Sequence, residues 1–224
     1  MTILKLQQST ARYEFSDGIR DFQTAFWILV TGFYALIVWG MPGSSLNFVA
    51  FARSQGILFI LVTTFILPIG IPLLVSHFGL RAINEYVRRR WLWRNTGFIK
   101  AKSWVLPRSV LFGAYAICFG VWVGGILLAI QSNEARFILM GIYVGTGLAF
   151  CYMNGWVGQR MSIPRYTVVA IVGLIGTLMI TLSPFNVGMF PFVMSLFWGL
   201  LLIASGIYGV MQVAKQQTEV EDAE

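Results

Sequence analysis

The chain has 224 residues, 57% of them hydrophobic and only 11% charged, with a formal net charge of +7 at pH 7. Soluble domains carry roughly 25% charged residues. This composition therefore excludes an ordinary water-facing surface and fits a chain whose outer surface is largely lipid.

In chain order, the first segment is MTILKLQQSTARYEFSDGIRDFQ, residues 1–23. It carries Glu14, Asp17 and Asp21 and lacks a compact apolar core followed by a small-residue cleavage site. It is expected to stay on the mature protein rather than act as a secretory signal. Phe15, Ile19, Phe22 and Phe26 share one helical face, with Asp17, Arg20 and Asp21 turned away from it. Ser16 is placed to cap such a helix. The segment thus reads as a short interfacial helix leading into the membrane.

Five stretches then contain no Asp, Glu, Lys or Arg: Phe22–Ala52, Ser54–Leu80, Ser109–Asn133, Phe137–Gln159 and Tyr166–Ala214. Crossing the hydrocarbon core takes about 20 helical residues. The first four stretches each hold one span. The last holds two, divided by SPFNVGMFP (Ser183–Pro191), whose prolines, asparagine and glycine read as a turn. The predicted spans are 24–41, 56–79, 109–130, 137–157, 166–183 and 190–212. A β-barrel would show strands of about 10 residues alternating polar and apolar, whereas these runs are apolar all round. Inside lipid every backbone polar group must be satisfied within the chain, so the spans are helices. The expected fold is all-α: a polytopic bundle of six transmembrane helices over 24–212, with interfacial amphipathic helices beside it.

Lys and Arg divide unevenly between the two sides of this arrangement. The N-terminal segment, the loop 81–108, the connection carrying Arg160 and Arg165, and Lys215 together hold 14, whereas the other side has only Arg53 and Arg136. Positive charge stays cytoplasmic, so both termini and the large basic loop are expected in the cytoplasm. Short loops and this asymmetry suggest a bacterial cytoplasmic membrane.

The basic loop contains NEYVRRRWLWRNTGFIKAK, Asn84–Lys102. Trp91, Trp93 and Trp104 suit an aromatic belt at headgroup depth. Ile83, Val87 and Trp91 form an apolar stripe, with Arg88, Arg89 and Arg90 projecting elsewhere. Arg88, Arg89, Arg90, Trp91, Trp93, Arg94, Lys100 and Lys102 are therefore the expected contacts for anionic headgroups or for a cytoplasmic protein partner. No nucleic-acid-binding motif accompanies the charge, so nucleic acid is not an expected partner. The tail 213–224 is acidic, lacks an apolar period and is expected to be disordered.

Helices gain little from association in lipid unless small residues let them approach closely. Ala116, Gly120 and Gly124 recur every four residues in the third span, as do Gly141, Gly145 and Ala149 in the fourth. Gly147, Cys151 and Gly155 form a second stripe on the fourth span; Gly173 and Thr177, then Ser205 and Gly209, follow on the last two. These are expected packing faces, and the second stripe leaves room for a homo-oligomer. In the second span, Pro68, Gly70 and Pro72 break the helix. Such breaks line binding sites in some transporters, although a kink at a helix contact is the plainer outcome.

Chemistry-bearing groups are few. No Asp or Glu falls within the predicted spans, and His77 is the chain's one histidine. Cys118 and Cys151 lie in apolar stretches, form no CxxC motif and are expected to pack as small hydrophobes. Asn154 and Asn186 suit interhelical hydrogen bonding or turn chemistry. GxSxG, GxGxxG, Walker A and EF-hand patterns are absent. No cofactor or metal is expected. The chain reads best as a non-enzymatic scaffold, assembly or regulatory subunit of a larger membrane complex. A small transporter or channel for a neutral or amphipathic solute is the alternative, argued from the break at Pro68–Pro72. A lipid-modifying enzyme using His77, Asn154 and the arginines is the third.

Overall fold

The computed structural model describes residues 15–37, 83, 86–88, 90, 106–134, 136–184 and 188–221, with side chains through residue 215. Among these the long elements are five α-helices: α1 (Ile19–Ala35), α2 (Arg108–Ser132), α3 (Arg136–Met161), α4 (Pro164–Leu182) and α5 (Phe190–Glu221). Helices α2, α3, α4 and the Phe190–Lys215 part of α5 are long and apolar enough to cross a membrane. The chain is a multi-pass helical membrane protein. The expected second span, 56–79, lies outside the described residues, as do Pro68, Gly70, Pro72 and His77.

The helix ends follow from local chemistry. Pro107 stands at the N-cap of α2 in extended geometry, where its missing N–H costs nothing. At the other end Asn133 is left-handed (φ 56°), and the Glu134 N–H bonds back to Ala129 O at 3.1 Å. The α3–α4 turn repeats the device: Ser162 has φ 54°, and the Ile163 N–H bonds to Gly158 O at 3.1 Å. Both are the 6→1 closure of a helix C-terminus. Pro164 then opens α4 with φ already suited to the first turn.

The pairs α2–α3, α3–α4, α4–α5 and α1–α5 pack antiparallel, and glycines set their register. On α2 the inward line is Val110, Ala114, Gly125 and Ala129. A side chain at Gly125 would run into Phe137 O and the Gly141 backbone, and one at Gly145 into the Cys118 backbone. Helices α3 and α4 meet at Gly158, against Thr167, and at Gly147, against Thr177. Trp198 of α5 enters between them. It is 2% exposed, its ring fills the space above Gly173, and its Nε1–H donates to Thr177 Oγ1 at 3.1 Å. Helix α1 lies along α5, with Gly32 against Ser195, Leu29 against Gly199 and Phe22 against Gly206.

Outward faces are apolar. Phe26, Val30, Phe33 and Ile37 stand exposed near or on α1, as do Phe112, Tyr115, Phe119 and Ile130 on α2. So do Ile171, Ile175 and Leu182 on α4. In water such contiguous surface would drive aggregation; against acyl chains it is the appropriate solvent.

Two expectations at the chain ends are corrected. The face through Phe15, Ile19, Phe22 and Phe26 is not continuous, because a turn at Gly18 (φ 73°) separates residues 15–16 from α1. Asp17 and Asp21 do not turn toward solvent; they are 0% and 4% exposed. Ser16 is not the cap either, since the N-cap position of α1 is Gly18. At the other end α5 continues to Glu221, so the tail expected to be disordered from residue 213 is helical to that point. Lys215–Glu221 is KQQTEVE, without Gly or Pro. Extending an existing helix through such residues costs little.

Candidate functional site

The site begins with the turn at Gly18. A left-handed residue there must approach the Gly206 backbone, and a Cβ would collide with it. Glycine meets both demands. Gly206 and Gly209 offer no side chains, so the N-terminal segment settles directly onto α5.

The turn aims Asp17 inward. Its Oδ1 accepts the Ile19 N–H at 3.1 Å. Arg88, 71 residues away in sequence, donates Nε–H to Oδ2 at 2.5 Å and Nη2–H to Oδ1 at 3.2 Å. This two-pronged geometry is the strong form of a guanidinium–carboxylate pair.

One turn later Asp21 enters the same interior. Its Oδ1 accepts from the Tyr166 hydroxyl at 2.7 Å, and its Oδ2 accepts from the Ser205 hydroxyl at 2.8 Å. Arg165 Nη2 lies 3.6 Å from Oδ2. Arg165 also donates Nη1–H to Ser16 O at 2.8 Å and Nη2–H to Phe15 O. The Phe15 ring meets Tyr166 edge-on at 5.9 Å. Below them Val157, Met161 and Ile163 close the cluster, with Leu106 packed alongside.

Four formal charges are thus gathered together, Asp17, Asp21 and Arg165 buried and Arg88 partly so, and the set is neutral. Burial pushes the Asp21 carboxyl above its ordinary range; Arg165, Tyr166 and Ser205 pull it back, while Asp17 adds to the rise. Asp21 sits in the first turn of α1, ahead of the predicted first span at residue 24. Chemically the network holds separate segments of the chain together. Each carboxylate oxygen already accepts a proton donor from the protein, and Arg165 Nε is the one buried polar atom of the set without a hydrogen-bond partner. Among the described residues no group of three or more His, Cys, Asp or Glu is arranged to hold a metal.

The network gathers segments distant in sequence: residues 15–21, Arg88, the start of α4 and Ser205 of α5. Ile19, Val87, Val210 and Val213 pack together beside it. Arg165, expected as a loop charge, is 7% exposed and serves this interior. The sequence reading missed Asp17, Asp21, Arg165, Tyr166 and Ser205 as partners. Helical spacing gave no usable signal, because the turn at Gly18 puts Asp17 outside α1.

The expected site residues fall as follows. Arg88 is partly buried on Asp17. Arg90 is exposed, donates to the Tyr86 hydroxyl at 2.9 Å and stands 5.7 Å from its ring. Arg89, Trp91, Trp93, Arg94, Lys100, Lys102, Trp104 and Asn186 lie outside the described residues. Gly141, Gly145 and Ala149 are buried. Ala116 and Gly120 are exposed, and nothing lies within 4 Å of a Cβ built at Gly120 or Gly124. Asn154 spends its amide N–H on Phe150 O of its own helix at 2.8 Å.

The two ends of the bundle differ in charge. At the network end Arg108 and Arg160 are exposed along with Arg90, and Asp17 and Asp21 are buried. At the other end Arg136 pairs with Glu134. Comparison of the chain with protein-family models, with curated proteins and with solved structures found no match.

Proposed function

We propose that the chain is a non-enzymatic subunit of a membrane complex, acting as a scaffold, an assembly factor or a regulatory partner. The observation that carries this reading is the use made of the buried ionisable groups. Asp17, Asp21, Arg88 and Arg165 answer one another and tie the N-terminal segment to α4, α5 and the segment around Arg88. They stabilise an arrangement of helices, and each oxygen of Asp17 and Asp21 is taken up by a donor within the protein. Around them stand apolar faces broad enough for lipid or for neighbouring helices.

In this reading the bundle has six spans, and the network end faces the cytoplasm with both termini. Support comes from the positive-inside count and from the convergence of residues 15–21, Arg88, Arg165 and Val213 at one end. The transporter alternative rests on Pro68, Gly70 and Pro72, outside the described residues. The lipid-enzyme alternative loses weight at Asn154, whose amide is already bonded.

The test is native mass spectrometry after gentle extraction from the source membrane. A stoichiometric heterologous partner is the expected result. A homogeneous monomer carrying only a small solute would overturn the subunit reading in favour of transport.

A further inference from the structure

Arg88 and Arg90 sit two residues apart, yet their surroundings are opposite. Arg88 is pinned to a fully buried carboxylate by two hydrogen bonds. Arg90 is exposed, and among the described residues its contact is with Tyr86, a neutral phenol that does not compensate its charge.

Two further arginines share that end of the bundle. Arg108 opens α2 and Arg160 lies in the last turn of α3, and the antiparallel pairing of these helices brings both to one end. Leu106 packs against Val157, Met161 and Ile163, which fixes the same proximity independently. Both arginines are exposed. The carboxylates with described side chains at this end, Asp17 and Asp21, are turned inward and matched by Arg88 and Arg165. Among the residues with described side chains, then, the carboxylates at this end are consumed internally and the outward charge is positive. The opposite end shows the contrary pattern, with Glu134 and Arg136 cancelling at the surface.

We propose that Arg90, Arg108 and Arg160 form a surface for anionic phospholipid headgroups, and that Arg88, though central in the basic run, is a positioning residue outside it. The three outward arginines come from three separate segments, so the surface exists only when the bundle is closed. Arg88 contributes by holding its own segment against Asp17, which sets where Arg90 stands. Guanidinium groups suit this role because they bond phosphate oxygens in pairs. The proposal adds a partner to the orientation given above. It is tested on purified protein, so it can fail while the subunit reading stands, and the reverse.

The experiment reconstitutes the protein in liposomes of mixed phosphatidylglycerol and phosphatidylcholine. Spin-labelled lipids then report the relative association of each with the protein. Wild type should prefer phosphatidylglycerol, and the preference should weaken as salt rises. Neutralising Arg90→Gln, Arg108→Gln and Arg160→Gln should each reduce it, by up to roughly fivefold per charge, and the triple variant should abolish it. Arg88→Gln risks misfolding, so the matched pair Asp17→Asn/Arg88→Gln is the informative control. It removes the pair without leaving a lone buried charge, and it should keep most of the preference. Preference surviving in the triple variant would overturn the proposal. So would equal loss in the matched-pair variant with the helices intact, or no preference in wild type; the last result would point to an acidic protein as the partner of these arginines.

Discussion

Arg165 is a cation almost wholly removed from water, and its counter-charge Asp21 is equally buried. A pair of this kind is expensive to assemble and more expensive to halve. Removing one partner leaves the other ionised and unpaired, at a cost of about 3–5 kcal/mol, whereas removing both is often far milder. Arg165→Gln should therefore lower stability by about that amount in detergent, measured by thermal or chemical unfolding. The double variant Asp21→Asn/Arg165→Gln should lose much less than the sum of the two single variants. Additive losses would mean that the two side chains do not act as a pair. Asp21 also sets a pH dependence. Its carboxyl is raised in the folded protein, chiefly by burial. A group with a raised folded pKa contributes stability that is complete below its unfolded value and is lost as pH rises through the folded one. Wild type minus Asp21→Asn should therefore show a stability difference that shifts against wild type as pH rises above the ordinary carboxylate value. A flat difference, or one of opposite slope, would show that burial is not the controlling influence at this site.

At the scale of helices, small residues separate into those that meet a neighbour and those that do not. Gly125 and Gly141 bring the α2 and α3 backbones together, while Gly120 on the same helix meets nothing. Gly125→Ala should push the hairpin apart at a cost of about 1–3 kcal/mol. Gly120→Ala should be neutral to stabilising, by up to about 1 kcal/mol in detergent, because the site has no packing partner and alanine is the better helix former. Equal effects at the two positions would contradict the register of this hairpin. The same contrast shows what could be read from sequence. The spans of α2, α3 and α4 were legible to within a few residues, because charges and prolines bracket them. Their facing was not. α2 is apolar all round, so periodicity gives no preferred side, and a four-residue recurrence such as Ala116, Gly120 and Gly124 is equally visible whether it faces protein or lipid. Trp198 was invisible for a related reason. Its pocket is made by the absence of side chains at Gly173 and Gly147 on two other helices.

For the whole molecule, the buried network was hidden because charge was counted by segment. Positive-inside counting treats Arg88 and Arg165 as independent marks of one side, and Asp17 joins them only by lying in the same N-terminal segment as Lys5, Arg12 and Arg20. That is enough to bring them to the same end and silent on whether they touch. Their contact makes the arrangement of the ends a single testable statement. Arg160 is exposed at the network end, and Ser132 is exposed at the far end of the α2–α3 hairpin. In a Cys118→Ala/Cys151→Ala background, Arg160→Cys and Ser132→Cys each give one thiol for a reagent that does not cross the membrane. In intact cells Ser132→Cys should react at once, and Arg160→Cys should react only after permeabilisation. Labelling of both from outside would remove α3 as a span. The reverse pattern would keep the hairpin and invert the molecule, placing Asp17, Asp21, Arg88 and Arg165 at the external face. Internal pairing in the network would survive that inversion, since it depends on no leaflet; the orientation predicted from outward arginines would not.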